Sequence, residues 1–339
     1  MLYSDIQKRP LTSNHKQYTF FRNENSQMLT YFKKYPLLPK ELEIKFERKW
    51  DFNTFWLHKI SYFVEPELRI YAYLLIPKNI DVKIPAILAL HQHNDEYKAG
   101  KSEVVGLVKN PEYMKVEAVQ PDPEHKNPEI LNQFAYGKEL CKEGFVVLAH
   151  NFISFEEYRD PDNSPDEAWY VREYEEAISQ KYLSQGSCLM MKHLHDAYVG
   201  ISVLSALKEV DSKRIGAIGH SLGGEVTTVL STFDSRVKAA VSSCGTLSYE
   251  EFEERNFMET PETVIPNFRG DNNDFDFFLD LIPPTKFMAT AGSKDKTITG
   301  SNLLMKKREN FEIVTFEGDH GFPDNVRKKA YEFLKQNLV

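Results

Sequence analysis

The hydrophobic positions of the chain repeat at two periods, and the places where the period switches outline the fold. Residues 46–90 are rich in β-branched and aromatic side chains and are punctuated by prolines. They read as three strands, WDFNTFWLHKISYFV, LRIYAYLLIP and IPAILAL. The first two alternate in part between apolar and polar, as antiparallel edge strands do, whereas IPAILAL is apolar throughout, as a strand covered on both faces is. Beyond it, Ile130, Phe134, Gly137, Leu140 and Cys141 recur at helical spacing, end at Gly144 and lead into FVVLAH. The same alternation follows at 190–209, where Leu194, Ala197, Tyr198, Ile201 and Leu204 share one helical face ahead of the strand RIGAIGH. VKAAVSS, TKFMATA and FEIVTF give three more strands, and residues 325–338 a closing helix.

Strands alternating with helices predict an α/β fold: a mostly parallel central sheet covered by helices on both faces, with functional groups at the carboxyl ends of the strands. The 339 residues read as a single domain. Residues 1–45 are expected to be a helical N-terminal extension and 46–339 the catalytic core. Three connections, near 94–127, 151–186 and 246–282, are long and polar enough to be lid-like insertions. Phe152, Phe155, Tyr158, Trp169 and Tyr170 in the second of these either line an apolar substrate pocket or anchor the insertion to the core.

Charge narrows the partners. A net charge of -8 and a pI near 5.8 repel phosphate backbones and anionic lipid, so neither nucleic acid nor a membrane is expected to bind. The first residues show no charged and apolar leader pattern, and no later run approaches the ~18 apolar residues of a bilayer span. A soluble cytoplasmic protein acting on a small molecule is therefore expected, with homo-oligomerisation left open. The three cysteines, Cys141, Cys188 and Cys244, are far apart and odd in number, which favours buried thiols over a disulfide framework or a CxxC metal site.

The strongest chemical signal is Gly219-His220-Ser221-Leu222-Gly223-Gly224, between the strand RIGAI and the helical segment EVTTVLSTF. A GxSxG turn there lifts the serine hydroxyl clear of the sheet and places it at a helix N-terminus, where unpaired N–H groups favour developing negative charge. Ser221 is the candidate nucleophile and the Leu222 N–H the first oxyanion donor. A serine needs a base, and His320, in the turn after FEIVTF, is the one histidine of ten that combines a late position with a strand-end loop. The orienting carboxylate is expected between them at another strand end, which selects Asp295 after TKFMATA over Asp271, Asp274 and Asp276 in the long insertion. Asp319, adjacent to His320, is expected only to form the turn.

The second oxyanion donor is expected from the turn after IPAILAL, His91-Gln92-His93-Asn94-Asp95, with the His93 N–H preferred and Gln92 next. HxHxD also opens a zinc motif, but the following residue is Glu96 rather than histidine. In the second HxH pair, His193 and His195 point about 200° apart on a helix, against shared ligation. No metal or cofactor is expected on these grounds.

ALHQHNDEYKAGKSEVVGL, GHSLGG, VIPNFRGD and GDHGFP followed by a helix resemble dienelactone-hydrolase-like and acetyl-xylan-esterase-like members of the α/β-hydrolase superfamily, over residues 45–339. The resemblance implies an α/β-hydrolase fold and matches Ser221 to the nucleophile, Asp295 to the acid and His320 to the base. Dienelactone hydrolases proper carry cysteine at the nucleophile position, so the serine points to the esterase branch, with acetylated sugars as a hint of substrate. Many relatives have glycine where this chain has Gln92. The expected activity is that of a serine esterase working through an acyl-enzyme. The alternatives are a prolyl-oligopeptidase-like serine peptidase, for which the chain lacks a propeller, and a non-catalytic binding protein, for which it has a triad too many.

Overall fold

The computed structural model describes residues 7–10, 31, 36–93, 97, 99–107, 134–158, 168–255, 261–282, 284–298 and 300–339. Its strands are β1 (Gln7–Pro10), β2 (Glu41–Asp51), β3 (Phe55–Phe63), β4 (Arg69–Pro77), β5 (Ile84–Leu90), β6 (Val146–His150), β7 (Val210–His220), β8 (Val237–Ser243), β9 (Lys286–Gly292) and β10 (Phe311–Phe316). Its helices are α1 (Lys101–Val104), α2 (Tyr136–Lys142), α3 (Ala168–Ser184), α4 (Leu189–Ala206), α5 (Leu222–Phe233), α6 (Tyr249–Glu254), α7 (Asp276–Leu281) and α8 (Asp324–Leu338). The strands form one sheet in the order β1-β2-β3-β4-β6-β5-β7-β8-β9-β10. Pairing is antiparallel from β1 to β6 and parallel from β6 through β10.

Alternation in the parallel strands divides the core between the two faces of the sheet. Ala86, Leu88 and Leu90 of β5 face one apolar cluster with Leu194, Ile201, Val226 and Val229 of α4 and α5. Ile87 and Ala89 face the other, with Tyr136 and Leu140 of α2 and Val326, Ala330 and Leu334 of α8. The layers are those expected from the sequence.

Strand order also fixes where chemistry can occur. From β5 the chain crosses to β6 on one side, then passes over β5 to β7 and continues to β8 on the other. The carboxyl ends of β5 and β7 therefore flank the point where the order reverses, the place where an open α/β sheet leaves a crevice. The ends are level, since Leu90 pairs with Gly219, His220 with Ser243, Ser243 with Thr290 and Phe316 with Gly292.

Several elements differ from expectation. The N-terminal extension is not helical where it is described, apart from Tyr31: Gln7 to Pro10 pair antiparallel with Ile44 to Glu41. ELEIKFERKW alternates as a strand does, and that period begins ahead of the assumed boundary at 45. The segment read as one strand from Trp50 to Val64 is the end of β2, a turn at 52–54 and β3, because Asn53 and Thr54 favour a turn over continued pairing. The second and third insertions are not plain loops, since they hold the 17-residue α3, α6, a 3₁₀ turn at Pro261–Thr263, and α7. Residues 108–133 of the first insertion and of the helix read from Ile130 lie outside the described residues. No helix among the described residues is long and apolar enough to cross a membrane.

Candidate active site

Ser221 follows β7 directly and has φ 53° and ψ -124°, a left-handed backbone that a non-glycine residue adopts only when its surroundings hold it there. Those surroundings are close. Its N–H donates to Ser243 O at 2.8 Å, and its own carbonyl accepts the Glu225 N–H at 2.9 Å to start α5. A Cβ on Gly219 would stand 2.1 Å from Gly223 O, and one on Gly223 would stand 2.2 Å from Leu90 O, so both flanking glycines are required by backbone contact. The second of these contacts presses the first turn of α5, with the Leu222 N–H, against the turn that follows β5.

Asp295 and His320 meet as the sequence predicts. His320 Nδ1 donates to Asp295 Oδ2 at 2.8 Å, while Asp295 Oδ1 accepts the N–H groups of Thr297 at 2.9 Å and Ile298 at 3.1 Å. Ser293 N to Phe316 O and Lys294 N to Gly318 O, both 2.9 Å, splice the two strand-end loops together. Burial works against charge on Asp295, but the His320 bond and the two N–H donors hold its pKa below the usual value. For His320, burial lowers the pKa, and the Asp295 carboxylate and the Cys244 side chain outweigh it, raising it to about 10. With the Nδ1 proton committed to Asp295, the lone pair of the neutral ring lies on Nε2.

The nucleophile turn and the His–Asp pair share one corner of the sheet. The ring of His220, next to Ser221, lies 4.8 Å from that of His320, and its Nδ1 is 3.0 Å from Ser243 Oγ. Burial and the neighbouring His320 hold His220 well below the usual histidine range, which removes it as a rival base. Cys244, with φ 45° at the end of β8, places its Sγ within 4.8 Å of the ligating atoms of Asp295 and His320. All three cysteines are buried and free, as expected, but nothing in the sequence set Cys244 beside the histidine.

The rejected carboxylates have other work. Asp274 accepts the N–H groups of Tyr249 and Glu250 at the start of α6, Asp271 accepts the Tyr31 hydroxyl at 2.8 Å, and Asp276 opens α7.

The turn after β5 is described through His93, while Asn94, Asp95 and Glu96 lie outside the described residues. His91 Nε2 accepts the Phe152 N–H at 2.9 Å, so its Nδ1 carries the proton and donates to Gln92 O at 2.8 Å. Both ring nitrogens are used, and His91 is not free to hold a metal. The Gln92 amide donates to Glu103 of α1. The His93 ring lies between Tyr97 and Phe155, with Nε2 3.1 Å from Glu175 Oε2. Phe152 and Phe155 are fully buried against His91 and His193, which favours the anchoring role for these two aromatics; the side chains of Trp169 and Tyr170 lie outside the described residues. Glu175 on α3 and Glu262 in the 3₁₀ turn are both buried beside His93, a grouping with no signature in the sequence. Burial and the facing Glu262 push Glu175 up to about 7.

Comparison with known proteins agrees with this architecture. Residues 129–271 match the model of the dienelactone hydrolase family, a stretch that includes Ser221 and ends before Asp295 and His320. YtaP of Bacillus subtilis (strain 168), provisionally named a hydrolase, is 25% identical over 285 residues, 79% of this chain and 83% of that one. A crystal structure from Bacteroides fragilis NCTC 9343, provisionally named an acetyl xylan esterase, superposes with a TM-score of 0.67 at 18% identity, covering 92% of this chain and 80% of the other. The glucuronoyl esterase from Solibacter usitatus superposes with a TM-score of 0.62 at 13% identity, over 92% and 91% of the two chains. Over residues 129–271 the chain is thus similar to the dienelactone hydrolase family, and as a whole it shares the fold of these esterase structures.

Proposed function

We propose that the protein is a serine hydrolase of carboxylic esters that works through a covalent acyl-enzyme. The observation that carries this reading is the 2.8 Å bond from His320 Nδ1 to Asp295 Oδ2 at the corner where Ser221 is held at φ 53°. That bond fixes the proton on Nδ1 and leaves the basic lone pair on Nε2.

Ser221 Oγ attacks the ester carbonyl carbon as Nε2 takes its proton. The Leu222 and His93 N–H groups receive the oxyanion, each worth about 3 kcal/mol of barrier. Collapse breaks the acyl–oxygen bond, and the imidazolium returns the proton to the departing alcohol. Water, deprotonated by the same nitrogen, then attacks the acyl-enzyme, and its collapse restores Ser221 and releases the acid. No step calls for a cofactor.

The substrate class we assign is a small acyl ester on a sugar, acetate first. What supports it is the shared fold with a protein provisionally named an acetyl xylan esterase. The test has two parts. A fluorophosphonate probe should label the wild-type chain at Ser221, identified by peptide mass, and Ser221→Ala should remove both the label and hydrolysis of p-nitrophenyl acetate while the circular dichroism spectrum is unchanged. Wild-type turnover in Ser221→Ala would end the assignment.

A further inference from the structure

A second cluster lies beneath the insertions. His93 Nε2 and carboxylate oxygens of Glu175 and Glu262 all fall within 4.8 Å of one another, and His193 Nε2 is 3.7 Å from Glu262 Oε1. Glu262 and His193 are 0% exposed and Glu175 is 1% exposed. No group lies at good hydrogen-bond distance from either oxygen of Glu262, either ring nitrogen of His193 or Oε1 of Glu175, and the neighbours facing Glu262 are His193 and Glu175 themselves. Among the described residues no lysine or arginine pairs with either glutamate.

Two buried carboxylates side by side are costly. Each ion removed from water loses several kcal/mol of hydration, and one shared proton neutralises only one of the pair. A divalent cation neutralises both and gives the unpartnered atoms something to bind. The donors, two imidazoles and two carboxylates, form a borderline N₂O₂ set that suits Zn²⁺ in tetrahedral geometry at about 2.0–2.2 Å per bond. Such bonds put ligand atoms about 3.4 Å apart, against 3.1 Å for His93 Nε2 to Glu175 Oε2 and 3.7 Å for His193 Nε2 to Glu262 Oε1; His193 stands outside the group within 4.8 Å and would close on the cation from the Glu262 side. The hydroxyl of Tyr97 already donates to Glu175 Oε2 at 2.9 Å, an outer contact that orients a ligating carboxylate. Phe152 and Phe155 close the site with rings 4.5 Å from His193 and 5.2 Å from His93.

We infer that His93, Glu175, His193 and Glu262 form a binding site for a divalent transition-metal cation, Zn²⁺ foremost, which ties the turn after β5 to the second and third insertions. One histidine comes from each HxH pair. The sequence argument against a metal considered each pair as a unit, and His91 and His195 are indeed occupied elsewhere, His195 Nε2 with Val64 O at 2.8 Å. The four ligands come from the turn after β5, α3, α4 and the 3₁₀ turn at Pro261–Thr263, so a cation here would hold His93 in place from the side of the insertions.

The test is metal binding and does not depend on the proposed esterase activity. The full chain, prepared without a histidine tag, is stripped with chelator and titrated with Zn²⁺ by calorimetry, with metal content measured by mass spectrometry. Wild type should take one equivalent, and Glu262→Gln and Glu175→Gln should each bind at least 100-fold more weakly. The melting midpoint should cross over: Glu262→Gln melts above wild type in chelator, because a buried charge is gone, and below wild type with Zn²⁺. Cys244→Ser controls for the Cys244, Asp295 and His320 group, which also lies within ligating distance, and it should keep its equivalent. No uptake by wild type, unchanged affinity in both glutamine variants, or loss of the metal in Cys244→Ser alone would overturn the inference.

Discussion

Replacing Asp295 with asparagine tests the proposed triad at its most informative atom. One carboxylate oxygen, Oδ1, is committed to the N–H groups of Thr297 and Ile298, and the other receives the His320 Nδ1–H at 2.8 Å. Asparagine can keep the first arrangement only by turning its own NH₂ toward His320, since the flipped amide would point two donors at two donors. The NH₂ then forces Nδ1 to accept, moves the ring proton to Nε2 and leaves no lone pair for the serine proton. The side chain keeps its shape and the base is lost. In a serine-protease triad this change lowers kcat about 10⁴-fold, equivalent to about 5.5 kcal/mol of barrier. The same loss is expected here in p-nitrophenyl acetate turnover. The carboxylate also helps hold the His320 pKa above its ordinary value, so its removal should move the acidic limb of kcat/KM to lower pH. Asp295→Ala should lose a similar rate but also stability, because it strands the two backbone donors at about 1–3 kcal/mol. The reasoning fails if Asp295→Asn keeps more than a tenth of wild-type kcat, or if its acidic limb stays where wild type has it.

Three further outcomes follow from other contacts. Because His320 titrates above the ordinary histidine value, its base form accumulates only as pH rises, so wild-type kcat/KM should reach half its maximum well above pH 6.5; Cys244→Ser should lower that midpoint, and an unshifted pH profile would separate the thiol from the base. Gly223→Ala puts a Cβ 2.2 Å from Leu90 O, a clash between backbones that no rotamer relieves, and should cost about 3 kcal/mol in urea unfolding along with activity; wild-type stability would mean that the elbow does not rest on β5. Arg236 donates to both oxygens of the fully buried Asp234, at 2.8 and 2.5 Å, and to Ser202 Oγ and Tyr198 O. Arg236→Ala should destabilise the fold by about 3 kcal/mol, and a loss below about 1 kcal/mol would show that the carboxylate finds other partners.

The placement of Ser221, Asp295 and His320 at strand ends was legible in the sequence because geometry and chain order coincide there. Ser221, Asp295 and His320 each follow a strand whose apolar run is unmistakable, and the strand ends are level, so three positions remote in sequence had to share one edge. That logic separated Asp295 from Asp271 and Asp274, which the structure assigns to a tyrosine hydroxyl and a helix start. It could not see Cys244, since the approach of β8 to the His320 loop depends on sheet register rather than on any local pattern. Glu175 and Glu262 were invisible for a related reason. Glu175 shares the inner face of α3 with Ser179, while Glu173 and Glu176 on the same helix are exposed, and only the packing of α3 tells them apart. The N-terminal extension was misread because the strand period was counted from residue 46, after β2 had already begun.

The packing of α4 shows what the insertions are. An ordinary crossover helix buries one face against the sheet, and the expected face, from Leu194 to Leu204, does so. Yet α4 is buried along its whole length except at Ser205, including Lys192 and Asp196 opposite the sheet and His193 and His195 on its two flanks. The cover comes from α3 and the 3₁₀ turn, both of which contact α4. Lys192 beneath it is paired with Asp196 at 2.8 Å and Glu65 at 2.5 Å, an arrangement built to stay out of bulk water. A segment that covers buried charges in this way is part of the core, not a flap over it, because lifting it would expose apolar surface and rehydrate an ion-pair network at once. The reaction proposed for the strand ends and the cation site inferred beneath the insertions therefore meet at one residue. In the proposed reaction the His93 backbone would serve the oxyanion turn, while its ring belongs to the buried cluster with Glu175 and Glu262.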